Sequence, residues 1–317
     1  MLRSALAFAV LAALAAPAPA QLVVTDYGAV SIKRYDATTG AFLAAQPTNG
    51  GSPTGVAIAA DRTAYVVSAG NNYLERFLPG QSGTIFANTG NNGISSPVAV
   101  VIGPAGDLLV LGSVGGVGRY NRTTGAFGGV LVPDGSGGLS APTDMTVGPT
   151  GDLFITDAGT GNRVLRYNGT TGAFIGVFAQ GGGLNLPSGL TFGPGGDLFV
   201  SSLQTNQVLR YNGLTGLFQG VFESGLNQPR RLALGPGNDL FVVNSGAANV
   251  LRFDGATGAA EGIFAQGGGL TDPNGLAFTP VPEPSALALA GAAGAAVVAW
   301  RRGRGRRVQP PDIGEQR

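Results

Sequence analysis

One short motif recurs along the chain at nearly constant spacing. It reads Gly-Pro-x-Gly/Asn-Asp-Leu, and its aspartates, Asp107, Asp152, Asp197 and Asp239, lie 45, 45 and 42 residues apart. A degenerate copy at residues 59–65 lies one period earlier. A period near 43 residues, with four short β runs in each repeat, predicts the blades of a β-propeller.

A second marker, an arginine followed by an aromatic residue, occurs six times at spacings of 42 to 47 residues. A residue that recurs at one position of every repeat favours a structural role, with its stem packed between blades and its head group paired or hydrated. The alternative is a basic surface that meets acidic polysaccharide. The six arginines are Arg34, Arg76, Arg119, Arg166, Arg210 and Arg252.

Counting the strand types predicts six blades. A short inner strand follows each of six prolines, and the arginine-aromatic strand also occurs six times. The chain enters at a second strand, 22–25, and leaves after an inner strand, 276–279, so the two ends are predicted to complete one blade together. This closure hides both sheet edges. We therefore predict an all-β fold, a six-bladed propeller over residues 21–280. The prolines are Pro53, Pro97, Pro142, Pro187, Pro229 and Pro273.

The composition suits this fold and excludes several chemistries. The 55 glycines and 20 prolines suit many tight turns, and 44% hydrophobic residues are enough for a core. The chain has no His or Cys, and Lys33 is its only lysine. Ser-His-Asp catalysis, a Cys nucleophile, Cys-bound zinc and a phosphate-binding P-loop are therefore excluded. Chemistry based on carboxylates, arginine, tyrosine or hard metals remains open.

Residues 1–20 have the pattern of a secretory signal peptide. Arg3 supplies the positive charge, residues 4–16 the apolar stretch, and Ala18 and Ala20 the small-x-small cleavage site. The mature chain is expected to begin near Gln21. The alternative is a buried N-terminal helix.

The C-terminal segment has a three-part pattern. Residues 281–284, Val-Pro-Glu-Pro, precede sixteen uncharged residues, 285–300, and a cluster of arginines follows. Sixteen helical residues span about 24 Å, less than the ~30 Å hydrocarbon core of a bilayer, so we predict a marginal, single transmembrane-like helix. The arginines would hold its C-terminal side in the cytoplasm. A plain C-terminal anchor is the alternative.

This pattern, over residues 281–307, resembles the PEP-CTERM sorting domain of Gram-negative bacteria. The resemblance implies recognition and processing by a membrane exosortase after export by the secretion machinery. The chain would then be held transiently in the inner membrane through 285–300 and end at the cell surface or outside the cell. Residues 308–317 form a polar extension beyond the usual pattern. The residues that match the sorting signal are Pro282, Glu283, Pro284, Arg301 and Arg302.

The repeats over residues 21–280 resemble NHL-repeat propellers, with inner strands such as Val56-Ala57-Ile58 that alternate large and small residues. The related families imply protein or ligand binding, or lactonase-like and lyase-like activities. The lyase type depends on histidine, which this chain lacks. Residues 21–280 carry 12 basic and 15 acidic residues, so nothing suggests a nucleic-acid partner.

The ends of the predicted second strands carry polar residues that would form a ring near one end of the channel. Asp26, Asp157 and Asn244 are the candidate metal ligands there, and calcium is the candidate cofactor, because hard cations prefer oxygen ligands. The resemblance to metal-dependent lactonases implies a glutamate ligand, and no glutamate matches. The alternative is side chains that cap nearby backbone. The full ring is Asp26, Ser68, Gly112, Asp157, Ser202 and Asn244.

Two charged residues break the pattern of the inner strands. Two residues after each proline the chain carries Gly or Ala, except at Asp144 and Arg231, and Arg230 lies beside the latter. We expect these residues at the mouth of the channel, two blades apart, as a candidate site for a small polar ligand. The alternative is an ordinary surface charge.

Three functions remain open from the sequence. The first is an exported, non-catalytic binding or structural propeller whose partners are extracellular polysaccharide or envelope proteins. The second is a metal-dependent lactonase-like hydrolase that uses the polar ring. The third is a scaffold that binds other proteins through the top face of the propeller. The regular repeat and the lack of His and Cys favour the first.

Overall fold

Each repeat folds into strands joined by tight turns, as the spacing of its glycines and alternating apolar residues requires. The structure, a computed structural model, describes residues 19–49 and 51–280, of which Ala20–Pro280 form one compact unit. Among these residues no helix is long and apolar enough to span a membrane. The predictions for the signal peptide at 1–18, including Ala18, for the sorting signal and transmembrane-like helix at 281–307 and for the extension at 308–317 lie outside the described residues.

The described residues form 24 strands. The first twelve are β1 (Gln21–Asp26), β2 (Ser31–Asp36), β3 (Phe42–Pro47), β4 (Pro53–Ile58), β5 (Ala64–Ser68), β6 (Tyr73–Phe77), β7 (Thr84–Asn88), β8 (Ser95–Ile102), β9 (Leu108–Val114), β10 (Val117–Tyr120), β11 (Phe127–Val132) and β12 (Pro142–Val147). The others are β13 (Leu153–Asp157), β14 (Arg163–Tyr167), β15 (Phe174–Gln180), β16 (Pro187–Phe192), β17 (Leu198–Ser202), β18 (Gln207–Tyr211), β19 (Phe218–Glu223), β20 (Pro229–Leu234), β21 (Leu240–Asn244), β22 (Asn249–Phe253), β23 (Ala260–Gln266) and β24 (Pro273–Phe278). Four single-turn 3₁₀ helices, Gly90–Asn92, Ser136–Gly138, Pro236–Asn238 and Ser245–Ala247, lie in loops.

The strands form six antiparallel sheets of four strands, which confirms the predicted six-bladed propeller. Blades I to V are built from consecutive strands, β4–β7, β8–β11, β12–β15, β16–β19 and β20–β23. Blade VI combines β24 with β1, β2 and β3. In every blade the strand that begins near the repeated proline is the inner one, and its start marks one end of the central channel, here called the mouth.

Blade VI joins the two ends of the propeller, as the strand count predicted. β1 pairs with β24 in antiparallel register, with Leu22 opposite Phe278 and Val24 opposite Leu276. The Thr279 N–H donates to the Gln21 carbonyl at 2.8 Å, and the Gln21 N–H donates to Thr279 Oγ1 at 2.7 Å. The closure therefore uses residues up to Thr279, and it places β1 between β24 and β2 instead of at a sheet edge.

The hydrophobic core lies between neighbouring blades. Leu109 and Leu111 of blade II, for example, pack with Met145 and Ile155 of blade III. All four side chains are nearly or fully buried, and such burial stabilises by about 1.5–3 kcal/mol per large apolar side chain. The blades are therefore held to one another by alternating apolar residues of the inner and second strands.

The hairpins between the third and fourth strands depend on one polar side chain and one glycine. In blade III, Asn168 Oδ1 accepts hydrogen bonds from the N–H groups of Thr170 and Thr171, at 3.0 and 2.8 Å. Gly172 follows at φ +73°, and a Cβ there would lie 1.7 Å from the carbonyl oxygen of Leu131 in blade II. Glycine is thus required both by the turn and by the contact between blades.

The two sequence markers meet inside the blades. In four blades the arginine of the third strand forms an ion pair with the aspartate that precedes the second strand. Arg34 instead donates to Gln46 Oε1 at 3.0 Å, and the Arg76 guanidinium lies 4.5 Å from the ring centre of Phe86. These contacts support the structural role predicted for the arginines. The four pairs are Arg119–Asp107, Arg166–Asp152, Arg210–Asp197 and Arg252–Asp239, at 2.7, 2.5, 2.5 and 2.5 Å.

Candidate functional site at the channel mouth

The mouth of the channel is a cavity of about 300 Å³ that every blade helps to line. The residue that follows the inner-strand proline lies on its rim in each blade, and Leu203 and Arg231 complete the lining. Five of the six rim residues are uncharged and one is an arginine. The rim residues are Thr54, Val98, Thr143, Ser188, Arg230 and Asn274.

Arg231 closes the floor of this cavity. Its side chain is 9% exposed, and it extends from β20 to the inner strands of four other blades. A guanidinium has five N–H groups, and here all five have acceptors. Nε donates to Asp144 Oδ1 at 2.9 Å, Nη1 to the Thr54 carbonyl at 3.3 Å and to Asn274 Oδ1, and Nη2 to the carbonyls of Val98 and Thr143 at 2.5 and 2.9 Å.

Asp144 brings the remaining blade into the same network. Its Oδ2 accepts the Leu190 N–H of blade IV at 3.3 Å, while its Oδ1 accepts from Arg231. Together the two charged residues therefore contact the inner strands of all six blades. Burial raises the pKa of the Asp144 carboxyl above its ordinary value, and the neighbouring Arg231 opposes that rise.

The prediction that these two residues lie two blades apart at the mouth agrees with their positions in β12 and β20. The alternative of an ordinary surface charge is wrong, because the residues are only 6% and 7% exposed. Gly189 of blade IV lies between them, where a Cβ would be 2.6 Å from the Arg231 Cα. The small residues at the equivalent positions let the inner strands approach one another closely. The two charged side chains fill the space that is left between the strands along the axis.

Beyond Arg231 the channel continues as a second cavity of about 330 Å³. Most of its lining residues are apolar, among them Val56, Met145, Leu232 and Phe278. Arg231 lines both cavities and its partner Asp144 lines the second, so the ion pair lies between them. The mouth cavity is thus a blind one.

Arg230 differs from its buried neighbour. Its side chain is 26% exposed, and its Nη2 lies 3.4 Å from Asp272 Oδ1. Its Nε is buried and has no hydrogen-bond partner among the described residues. Of the three residues predicted to bind a ligand, Arg230 is therefore the one with donor capacity left for it.

The three candidate metal ligands lie in three different blades. Asp26 ends β1, Asp157 ends β13 and Asn244 ends β21. Within residues 19–49 and 51–280, no group of three or more acidic side chains is placed to hold a metal ion. The structure thus does not bring these residues together, and the calcium site stays a prediction.

Each of these side chains instead bonds to the loop that leads into the inner strand of its own blade. Asp157 Oδ1 accepts the Ala141 N–H at 2.7 Å and the Ser140 N–H at 3.2 Å, and Oδ2 pairs with Arg163 at 3.3 Å. Equivalent bonds run from the Asp272 N–H to Asp26 Oδ1 at 2.9 Å and from the Asn227 N–H to Asn244 Oδ1 at 2.6 Å. These contacts are of the backbone-capping kind that was the alternative to a metal site.

Blade I achieves the same loop contact with a residue that the sequence did not single out. Its second strand ends in Ser68, and the carboxylate comes from Glu75 on the third strand. Glu75 is fully buried, accepts from Ser68 Oγ at 3.0 Å, and accepts the Asn49 N–H at 2.7 Å. The missing aspartate at position 68 was the only signal that another side chain must bind this loop.

Replacing Asp157 tests the loop-capping role against the calcium site. Asp157→Ala removes the acceptor of two backbone N–H groups, which costs about 1–3 kcal/mol for each unsatisfied buried group. We expect the Tm to fall by roughly 4–24 °C, equally in EDTA and in calcium, as measured by thermal unfolding. Asp134→Asn, in an exposed loop, is the control and should change little. A calcium-dependent rise in the wild-type Tm that the Asp157 variant loses would instead establish the metal site.

The fold and the closed axis define a six-bladed β-propeller, and the C-terminal segment adds a sorting signal. Residues 280–304 match the family model described as the PEP-CTERM protein-sorting motif. The chain is therefore a propeller that carries an export and sorting signal, as predicted from Pro282, Glu283 and Pro284. A search of the curated protein sequences finds no match.

Solved structures share the propeller fold. A chain of a nidogen/laminin complex superposes with a TM-score of 0.71 and 18% identity, over 83% of this chain and 100% of that one. Virginiamycin B lyase from Staphylococcus aureus gives 0.60 and 19%, over 82% and 87%. A putative gluconolactonase gives 0.59 and 16%, over 72% and 85%. At these identities the likeness shows the fold. A catalytically inactive form of the lyase has a histidine replaced by alanine, and this chain contains no histidine.

Proposed function

We propose that this protein is an exported, non-catalytic binding module, which exosortase delivers to the cell surface or the extracellular matrix. The binding role rests on one observation. The two charged residues on the axis, Asp144 and Arg231, already bond to other residues of the propeller. Arg231 has used all five N–H groups, and Asp144 is paired with it. The open mouth cavity with Arg230 on its rim is left to bind a ligand, so the proposed partners are extracellular polysaccharide or envelope proteins.

The position of the sorting motif supports this route. The last inner strand ends at Phe278, its final closure contact is made by Thr279, and the matched motif begins at residue 280. Processing of the tail beyond Pro284 would leave the described strand pairing of blade VI in place. The propeller can therefore stay folded while its tail is processed.

Mass spectrometry of the mature protein, after fractionation of the native host, tests the proposed route. We expect the exported form to begin near Gln21 and to lack residues 285–317. Glu283→Ala should leave the tail uncut and the protein in the membrane fraction, while Glu223→Ala, on the outer strand of blade IV, should be processed normally. Intact residues 285–317 on secreted or surface-exposed protein would contradict the proposal.

A further inference from the structure

The mouth cavity has the shape of a site for the end of a ligand. Its volume is about 300 Å³, at the low end for small-molecule sites. Arg231 closes its floor with bonds to five other residues around the axis. A chain cannot thread through the propeller from this side, so the cavity accepts one small unit, either free or at the end of a longer molecule.

Arg230 supplies the charge that selects the ligand. The other rim positions carry uncharged residues, and Arg230 is the cation among them. Its Nε is buried without a hydrogen-bond partner among the described residues, and its Nη2 has only a long contact of 3.4 Å to Asp272. Two parallel N–H groups of a guanidinium bind both oxygens of a carboxylate, so Arg230, the charged residue of the rim, favours a carboxylate-bearing ligand.

The hydroxyl groups of the rim favour a ligand that carries hydroxyl groups of its own. Thr54, Thr143 and Ser188 each donate their hydroxyl proton to the carbonyl of a proline in the next blade. Each oxygen keeps acceptor capacity, so the rim offers acceptors to ligand hydroxyl groups. The acceptors that hold these protons are the carbonyls of Pro97, Pro187 and Pro229, at 2.8, 2.6 and 2.7 Å.

We propose that the mouth cavity binds one hydroxylated carboxylate, a uronic acid or another sugar acid, either free or at the end of a polysaccharide. Arg230 holds the carboxylate, and the hydroxyls of Thr54, Thr143 and Ser188 accept from the sugar hydroxyls. This assignment rests on the proposed binding function and names its ligand class.

Binding to the exported protein, purified from its host, tests the site by calorimetry or ligand-observed NMR. We expect glucuronate and galacturonate to bind at least about tenfold more tightly than glucose, which lacks the carboxylate, and than propionate, which lacks the hydroxyls. Arg230→Gln should weaken uronate binding at least about tenfold. Arg230→Lys should also weaken it, since a lysine lacks the paired N–H groups with which a guanidinium binds both oxygens of a carboxylate. Arg122→Gln removes the same charge from a hairpin at the opposite end of the propeller, and should leave binding unchanged.

Oligouronides distinguish the two sources of the ligand. A trigalacturonate that binds at least as tightly as the monomer, at one per protein, indicates a chain end, and binding of the monomer alone indicates a free acid. The sugar-acid assignment is overturned if no uronate binds, if Arg230→Gln leaves uronate binding unchanged, or if a peptide with a free C-terminal carboxylate binds more tightly than the uronates. Because the export route is read from the mature C-terminus, either proposal can fail without the other.

Discussion

Arg231→Ala is expected to lower the free energy of unfolding by about 3–5 kcal/mol, the cost of leaving a buried charge without its partner. In this variant the Asp144 carboxylate stays within the inner strands and loses the cation at 2.9 Å. The carbonyls of Thr54, Val98 and Thr143 also each lose one hydrogen-bond donor, and the Thr54 carbonyl keeps the Thr25 hydroxyl at 2.8 Å. For a propeller of this size, the loss corresponds to a fall in Tm of roughly 6–20 °C, which calorimetry or circular dichroism can measure.

Arg252→Ala is the matched control, because it also removes an arginine from an ion pair. It pairs with Asp239 and with Glu261, and the Arg252 side chain is 34% exposed. We expect a smaller loss of stability there than for Arg231→Ala, because the Arg252 guanidinium is partly solvated. Equal effects of the two substitutions would contradict the role of Arg231 as the closure of the axis.

The double variant Asp144→Ala, Arg231→Ala separates the ion pair from the rest of the network. It restores the small side chain found at the equivalent Ala99, and it leaves no uncompensated charge on the axis. We expect it to be more stable than Arg231→Ala alone, with a coupling of about 1–3 kcal/mol in a double-mutant cycle. Strictly additive losses would show that the two residues do not stabilise each other.

The sequence predicted the fold well because the evidence for it is periodic. Six copies of the inner-strand proline and six of the arginine-aromatic marker give the number of blades, and the strand types at the two ends give the closure between β1 and β24. The pairing of the two markers, which occurs in four of the blades, was missed. It follows from register, since Arg166 lies opposite Phe154, two residues beyond Asp152, and neither motif alone reveals that register.

The site was predicted only in part, because periodicity says where a residue breaks the pattern and not what it contacts. Asp144 and Arg231 were found as departures from a run of small residues. Their burial depends on how closely the inner strands approach at Gly189, a distance that no single repeat encodes. Glu75 was missed for a related reason, because its contact with Ser68 joins two strands whose residues differ from those of the other blades.

Two truncations are expected to have opposite effects on the propeller. Ending the chain after Pro280 should change the Tm by no more than about 2 °C, since the strand pairing that closes blade VI among the described residues is made by residue 279 or earlier. Ending it after Asp272 removes β24, and with it the burial of Leu276 and Phe278 against β1. Deleting two such apolar side chains costs about 6 kcal/mol or more.

This cost is comparable with the whole stability of a typical domain, about 5–15 kcal/mol, so the shorter chain should be unfolded or insoluble. Leu22 and Val24, which are fully buried in blade VI, would then lie on an open sheet edge that invites aggregation. Soluble yield and thermal unfolding of the two truncations, made in parallel, measure the difference. A folded, cooperative product that ends at Asp272 would show that blade VI does not close the ring. Equal loss in both truncations would show instead that the propeller depends on the segment that carries the sorting motif.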